Sequence, residues 1–350
     1  MGDLDHILSY LENDKVSVVN CVQQRGRNSN WLITLNDESS VFVKTFVGER
    51  SEARFHASSV AASNFKLPMP DVVHIDSSML TLYFEPLSPE TVYGLDFSEE
   101  YDRKSARHMQ AVGESLARLH LVSEVPKGLE PRTINMSGMF DAIPHALYSK
   151  LTGGQIEAIR IIHMDQELRS ALIRAADYAA SSGESTVHGD CRLDQFAFDG
   201  ATAFITDLET IRPGNMEVDI AGILGSLLHE AVSGTPIDPR LDVFGKASVV
   251  QDEVMSIGNM RIQDAIRAFT DFLQSYRAVR ARHGIHTEID LTMVVRLSGL
   301  YMFDRLLANA ESSTVLSAAF LGAAGVGKSL VLNPDIALSL IANESSQVHE

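Results

Sequence analysis

The chain has 350 residues, of which 45% are hydrophobic and 21% charged, an ordinary composition for a globular protein long enough to form two lobes. Lys and Arg number 29 and Asp and Glu 46, so the formal net charge of −17 argues against nucleic acid as the main partner. The two cysteines, Cys21 and Cys191, give neither a disulfide framework nor the ligand spacing of a zinc site.

The sequence predicts neither secretion nor membrane insertion. The first six residues lack the basic and apolar regions of a signal peptide. The longest apolar stretch, residues 315–327, is shorter than the ~20 residues that a bilayer requires. We therefore expect a cytoplasmic protein without membrane contact.

The chain from about residue 16 to Leu87 is predicted to be rich in β-strands. Residues 31–35 and 40–46 are β-branched or aromatic runs, and the polar residues between them predict a hairpin. Helical spacing of apolar residues follows at 49–63, before two further strands at 72–75 and 79–84.

Beyond Leu87 the pattern becomes mainly helical. Helices are predicted at residues 107–122, 140–163, 166–180, 216–231 and over most of 262–310, with a strand-like segment at 186–207. The sequence therefore predicts an α+β fold with two lobes. Residues 1–87 form a small β-rich lobe, residues 88–350 form a large helical lobe, and a cleft lies near residues 84–88.

Two aspartates in the strand-like segment suggest phosphoryl transfer. Asp190 and Asp207 each lie near the end of a short strand-like run. Phosphoryl transfer requires one carboxylate that orients the attacking hydroxyl and another that holds magnesium on the phosphates. The alternative is that each aspartate merely caps a turn.

The motifs around these aspartates resemble those of the aminoglycoside phosphotransferase and choline kinase superfamily, whose fold is protein-kinase-like. They are His188-Gly189-Asp190, Ile205-Thr206-Asp207-Leu208-Glu209 and Asp219-Ile220-Ala221, in that order. The resemblance implies an ATP- or GTP-dependent phosphotransferase that uses Mg²⁺ and phosphorylates a hydroxyl of a small molecule. It also implies that Asp190 is the catalytic base, that Asp207 is the principal magnesium ligand, and that Asp219 braces the catalytic loop.

The same resemblance assigns nucleotide-binding residues in the β-rich lobe. Lys44 corresponds to the strand lysine that binds the α- and β-phosphates, and Glu52, rather than Glu49, to the helix carboxylate that pairs with it. Ser29 and Asn30 lie in the segment that corresponds to the nucleotide loop.

The segment Glu85-Pro86-Leu87 occupies the hinge position, where the family binds adenine through backbone groups. Because proline has no N–H, the donor is expected to be a neighbour such as Leu87.

The chain departs from the family pattern in the catalytic loop. Gln195 stands where the family has Asn as second magnesium ligand, and its extra methylene moves the amide by ~1.5 Å. Either the loop compensates, the second metal is held weakly, or Asp194 substitutes. Arg192 replaces a histidine; it either stabilises charge on the transferring phosphoryl group or pairs with Asp194 or Glu209.

Two further sequence patterns resemble ligand-binding motifs, but we interpret neither as a binding site. Residues 322–329 fit the P-loop pattern, but the region before them is helical, whereas a P-loop requires a preceding strand. His283 and His286 lack Cys or acidic partners at metal-ligand spacing.

Two alternative functions remain open at this point: a Ser/Thr kinase of a peptide, and a pseudokinase that binds a nucleotide without catalysis. An acidic surface and Arg192 are compatible with the first, and Gln195 motivates the second. The sequence identifies neither the acceptor nor the oligomeric state.

Overall fold

In the computed structural model, which describes residues 2–12, 17–24, 26–88, 91–94, 101–122, 129, 136–234 and 247–347, the N-terminal part of the chain forms a five-stranded antiparallel sheet. The strand order is β1-β2-β3-β5-β4. Its strands are β1 (Val18–Gln24), β2 (Ser29–Leu35), β3 (Ser40–Thr45), β4 (Val72–Asp76) and β5 (Thr81–Phe84). The predicted strands are therefore confirmed, except that residue 16 lies outside the described residues.

Each face of this sheet is covered by a helix. Helix α1 (Gly2–Leu11), which the sequence analysis did not predict, buries Ile7 against Ile33, Val43 and Tyr83. Helix α2 (Ser51–Asn64) packs on the sheet through Phe55. In β3, alternate residues face opposite sides of the sheet, so burial of Val43 leaves Lys44 on the other side.

The rest of the chain is mainly helical, which confirms the α+β fold class. Its helices are α3 (Arg103–His120), α4 (Met136–Asp141), α5 (His145–Tyr148), α6 (Gly153–His163), α7 (Gln166–Ala180), α8 (Met216–Ser233), α9 (Ala247–Arg282), α10 (Leu291–Ala310), α11 (Ala318–Leu332) and α12 (Pro334–Gln347). Apart from α5, which buries no residue, these helices contribute to one large buried core. None of the helices in the described ranges is long and apolar enough to cross a membrane.

Short strands carry the segment that contains Asp190 and Asp207. They form a three-stranded sheet of β6 (Val92–Tyr93), β8 (Phe196–Asp199) and β9 (Thr202–Ile205), and a pair of β7 (Ser185–Val187) with β10 (Arg212–Gly214). Helix α8 packs so closely beneath them that a Cβ added to Gly222 would lie 1.9 Å from the carbonyl oxygen of Cys191. The loop of Asp190 therefore packs directly against α8.

The predicted helix at residues 140–163 is wrong in one respect, because three helices occupy this region. Pro144 cannot donate a backbone hydrogen bond and disfavours helix at the preceding residue. Thr152 then begins α6 with a capping box, in which its hydroxyl accepts from the N–H of Gln155. The prediction of helix over most of 262–310 is confirmed, with Gly284 at φ 75° between α9 and α10.

Candidate active site

The loop that carries Asp190 follows β7 and is held by the buried carboxylate of Asp219. Asp219 accepts hydrogen bonds from the backbone N–H groups of His188 (2.6 Å) and Gly189 (2.9 Å), and its Oδ2 lies 3.0 Å from His120 Nε2. Burial alone would raise the pKa of Asp219, but the hydrogen bond and the charge of His120, with the other contacts, lower it. The expected brace of the loop is therefore present.

His188 also ties the Asp190 loop to the segment that carries Asp207. Its Nε2 lies 2.9 Å from the carbonyl oxygen of Thr206, and its own carbonyl accepts from the hydroxyl of Thr210 at 2.8 Å. The imidazole is fully buried. Its position fits the expectation that His188 fixes the loop.

Arg192 lies beside Asp190. The Asp190 side chain is 41% exposed, and its Oδ1 is 3.5 Å from Arg192 Nε. The same nitrogen is 3.4 Å from Asp194 Oδ1 but makes no hydrogen bond within the described residues. Of the two structural partners considered for Arg192, Asp194 is therefore close, whereas Glu209 pairs with other residues.

Asp207 follows the end of β9 in the left-handed conformation, with φ 57°. Lys44 Nζ donates a hydrogen bond to Asp207 Oδ1 and lies 3.2 Å from Glu209 Oε2. Burial would raise the pKa of Asp207, but the charge of Lys44 and its hydrogen bond lower it. The structure thus brings together the predicted phosphate-binding lysine and the predicted metal ligand.

Glu209 binds a second cation, Arg54 of α2. Arg54 is 5% exposed, and its Nη1 lies 3.4 Å from both carboxylate oxygens of Glu209. Asn28 completes the cluster, since its amide donates to Glu209 Oε2 at 2.7 Å and accepts from Arg54 Nη1 at 2.7 Å. Arg54 Nη2 also donates to the carbonyl of Val47 at 2.6 Å. These contacts join α2, the loop before β2 and the Asp207 segment.

The structure does not bring Glu52 to Lys44, in contrast to the expected ion pair. Glu52 lies in the first turn of α2 with an exposed side chain. Two residues on, at about 100° per residue, Arg54 faces the opposite side of the helix and is buried. The sequence analysis missed Arg54 and Asn28, because nothing in the local sequence marks them as partners of Glu209.

Gln195 lies next to the Asp207 segment. It ends a short 3₁₀ turn (Leu193–Gln195), is 8% exposed, and accepts hydrogen bonds at its carbonyl from the N–H (2.9 Å) and hydroxyl (3.0 Å) of Thr206. No three His, Cys, Asp or Glu side chains among the described residues are arranged to hold a metal. Mg²⁺ does not require such a cluster, because it keeps several waters, binds substrate phosphates and can be held by a single carboxylate such as that of Asp207.

A cavity of about 580 Å³ lies between the sheet and the Asp207 segment. Predicted residues that line it are Asn30, Lys44, Glu85, Leu87 and Asp207. Asn30 Oδ1 is buried and has no hydrogen-bond partner among the described residues. An unsatisfied buried acceptor is costly, so this position favours a ligand that donates to it or coordinates it. Ser29 lies beside it and accepts from Trp31 Nε1 at 3.0 Å.

The predicted hinge forms one end of this cavity. The N–H of Glu85 donates to the carbonyl of Asp71 at 2.8 Å. The N–H of Leu87 has no hydrogen-bond partner in the described part of the chain. Of these two N–H groups, that of Leu87 is the one without a partner within the described ranges, and its binding to adenine stays a prediction.

The P-loop-like run is helical. Residues 322–329 lie inside α11, where Lys328 Nζ is 2.6 Å from Asp165 Oδ2. A helix uses its own N–H groups for internal hydrogen bonds and cannot cradle a phosphate in its middle. The prediction that this run is not a P-loop is confirmed. His283 is also accounted for, since its Nδ1 lies 3.0 Å from the carbonyl of Val279.

Comparison with known proteins identifies a family. The sequence profile of the phosphotransferase enzyme family matches residues 22–252. No curated protein is similar enough in sequence to match this chain.

Solved kinase structures match this chain, and one of them, with a TM-score above 0.5, shares its fold. A glucosamine kinase has a TM-score of 0.51 and 16% identity, over 96% of this chain and 85% of its own. The aminoglycoside phosphotransferase APH(2″)-Ib, with ADP bound, has a TM-score of 0.48 and 13% identity, over 95% and 99% of the two chains. A choline kinase of Streptococcus pneumoniae has a TM-score of 0.44 and 12% identity, over 88% and 97%. At such identities the likeness concerns the fold alone.

Proposed function

The chain belongs to the phosphotransferase enzyme family and is a phosphotransferase, and we propose that it transfers the terminal phosphoryl group of ATP or GTP to a hydroxyl of a small molecule. The observation that carries this proposal is the contact of Lys44 with Asp207, beside a loop that presents Asp190 and is joined to the same segment through His188. A phosphate-binding cation, a metal ligand and a base are the groups that phosphoryl transfer needs.

In the proposed reaction, Asp190 accepts the proton of the acceptor hydroxyl while the hydroxyl oxygen forms a bond to the terminal phosphorus. The bond between that phosphorus and the bridging oxygen breaks, and the nucleoside diphosphate leaves. Lys44 binds the phosphates, and Arg192, 3.5 Å from Asp190, stabilises negative charge on the transferring group. An exposed carboxylate such as Asp190 can reach a bound hydroxyl.

We assign the metal site to Asp207, with the amide of Gln195 as second ligand. When bound, Mg²⁺ would neutralise charge on the phosphates. The lowered pKa of Asp207 supports this assignment, because only the ionised carboxylate binds a hard cation well. When the nucleotide binds, Lys44 is proposed to move from Asp207 to the phosphates. Glu209, 3.2 Å from Lys44 Nζ, would stay paired with the lysine during this movement.

The nucleotide is proposed to bind in the 580 Å³ cavity, with its base at the hinge. Leu87 donates its N–H to the base, Glu85 lines the same end, and Ser29 and Asn30 lie near the sugar and phosphates. We propose residues 1–87 as the nucleotide-binding lobe and residues 88–350 as the lobe that binds the acceptor.

The acceptor side favours a small molecule over a peptide. A second cavity of about 430 Å³ is lined by Asp190 and by residues of α7, α8 and α10. This volume falls within the range of ordinary small-molecule sites. An extended peptide would instead require a long open groove.

The proposal is tested by measuring nucleoside diphosphate release from ATP and from GTP with Mg²⁺, with water as acceptor. Asp190→Asn should lower the rate ~10²-fold or more while ADP affinity stays within a few-fold of wild type. The matched control is Asp199→Asn, which changes an exposed aspartate at the end of β8 and should have no effect. A rate for Asp190→Asn above a tenth of the wild-type rate would contradict the base role.

A further inference from the structure

The cavity lined by Asp190 is rich in arginine, although the protein as a whole carries a net charge of −17. Its charged lining residues are Arg27, Arg192, Arg212, Arg305, Asp190 and Asp304. Positive side chains therefore outnumber negative ones at the position where the acceptor is proposed to bind. Asp194 and Asp219 lie outside this lining but act on Arg192 and Arg212, so anion binding depends on which arginines keep donors without a partner.

Two of these arginines are neutralised by neighbouring carboxylates. Arg192 Nε lies 3.5 Å from Asp190 Oδ1 and 3.4 Å from Asp194 Oδ1. Arg305 donates from Nε to Asp304 Oδ2 at 3.1 Å. Arg27, in the exposed loop before β2, forms no ion pair within the described ranges. Arg27 and Arg212 are thus the cations that remain for a ligand.

Arg212 is the more informative of the two, because it is buried. It is 5% exposed, and only its Nη2 forms a hydrogen bond, to the carbonyl of Ala179 at 3.1 Å. Its Nε and Nη1 have no partner among the described residues. The negative charge of Asp219 acts on it through space, but no ion pair joins the two side chains. A buried cation with free donors is unfavourable unless an anion binds it.

Arg212 also lies close to the catalytic loop. A Cβ built on Gly189, the residue before Asp190, would be 3.5 Å from Arg212 Nε. The neighbouring Gly214 leaves room for the guanidinium, since a Cβ there would lie 2.5 Å from Nη1. A molecule that binds Arg212 in this cavity is therefore held beside the proposed base.

We propose that the acceptor is an anionic hydroxy compound, whose carboxylate or phosphate group binds Arg212, with Arg27 at the rim, while its hydroxyl faces Asp190. This inference rests on the proposed phosphotransferase function and adds the class of substrate. A guanidinium can bind either oxyanion through charge-assisted hydrogen bonds. Because Arg212 Nε and Nη1 have almost no accessible surface, the side chain must shift for these two atoms to reach the ligand. A cationic acceptor would instead bring a further positive charge beside Arg212.

Four polyols with one six-carbon skeleton test the charge preference. D-gluconate carries a carboxylate, D-glucitol 6-phosphate a phosphate, D-glucitol no charge and 1-amino-1-deoxy-D-glucitol an amine. Binding is measured by calorimetry at constant ionic strength, because salt screens charged ligands. Phosphoryl transfer from ATP is followed in parallel by phosphorus NMR. We expect at least one anion to bind tenfold or more tightly than D-glucitol, and the amine to bind no better than D-glucitol.

Three variants locate the effect. Arg212→Met keeps the side-chain length and removes the charge, so it should abolish the anion preference, and Arg212→Lys should retain part of it. Arg27→Gln, which changes an exposed residue, should lower the affinity for the preferred anion about threefold. Arg118→Met is the matched control, because Arg118 is exposed on α3 and pairs with Glu114 outside the cavity. Thermal unfolding reports whether each variant is folded.

Each outcome of these measurements either supports or overturns the proposed anion site. Equal binding of the four polyols, or tighter binding or faster phosphorylation of the amine, overturns the proposal. An anion preference that survives in folded Arg212→Met shows that Arg212 serves only to balance Asp219, and overturns the assigned site. ADP release with water as acceptor is a separate readout, so the proposed function can stand even when the anion preference fails.

Discussion

Arg54 and Glu209 form a buried ion pair between α2 and the segment that follows Asp207, with Arg54 Nη1 3.4 Å from both carboxylate oxygens. The same carboxylate lies 3.2 Å from Lys44 Nζ. One acidic residue therefore positions two cations, of which Lys44 lines the 580 Å³ cavity. This carboxylate takes the place that the sequence analysis assigned to Glu52.

The first prediction concerns Glu209. Glu209→Gln removes the charge that positions Lys44 and leaves Arg54 as an unpaired buried cation, so we expect ADP affinity to fall tenfold or more and stability to fall by ~3 kcal/mol. Calorimetric titration with Mg²⁺ and ADP, together with urea unfolding, measures both effects. Glu52→Gln is the matched control, because it removes an exposed carboxylate from α2. If Glu52→Gln lowers the affinity as much as Glu209→Gln, the helix carboxylate is the true partner of Lys44.

The second prediction separates the two lysines that sequence motifs single out. Lys44→Ala should weaken nucleotide binding about tenfold or more, because Lys44 is proposed to bind the phosphates. Lys328→Ala should leave it unchanged, because Lys328 lies in α11 and pairs with Asp165. Titration of both variants with ADP compares them. A larger effect at Lys328 would show that the nucleotide site is assigned to the wrong part of the chain.

The third prediction tests the metal role of Gln195. Gln195→Asn should keep ADP release within about tenfold of wild type, since the amide ligand is retained, whereas Gln195→Ala should raise the Mg²⁺ concentration needed for half-maximal rate. Magnesium titrations of the three proteins measure this. An Ala variant whose titration matches that of wild type would leave Asp207 as the one protein ligand.

The fourth prediction uses two helical glycines. Gly222→Ala should destabilise the protein by ~1–3 kcal/mol and lower activity, because the new Cβ would lie 1.9 Å from the carbonyl oxygen of Cys191, in the catalytic loop. Gly325→Ala places its Cβ in open space within α11, so helix propensity should stabilise the protein by ~0.5–1 kcal/mol. Thermal unfolding and ADP release test both. A neutral Gly222→Ala would mean that the loop can move away from α8.

The fifth prediction concerns pH. The pKa of Asp219 is lowered in the folded protein, so its ionisation stabilises the fold above the unfolded pKa of about 3.9, and this stability is lost as the pH falls through the folded pKa. Asp219→Asn should cost ~1–3 kcal/mol at pH 7 and flatten the loss of stability below pH 5. Urea unfolding between pH 3 and 7 gives both quantities. Parallel pH curves for the two proteins would exclude this role.

The sequence was sufficient for features that depend on local pattern or motif spacing. The β-branched and aromatic runs at 31–35 and 40–46, with polar residues between them, predicted the β2–β3 hairpin. The motif around Asp207 identified a residue that does contact Lys44. Arg54 could not be predicted, because its partner Glu209 is 155 residues away in sequence. The burial of Arg212 could not be predicted either, because it results from the packing of β10 and no neighbouring residue in the sequence indicates that packing.

Lys44, Arg54, Asp207 and Glu209 form one cluster with two positive and two negative charges, and Lys44 and Asp207 of this cluster line the 580 Å³ cavity. This cluster is electrically neutral, so we expect a triphosphate without a metal ion to gain little attraction from it. A triphosphate that arrives with its own divalent cation brings the missing positive charge. If the nucleotide binds here as proposed, we expect its metal complex to bind more tightly than the free triphosphate, and titration of ATP with and without Mg²⁺ measures the difference.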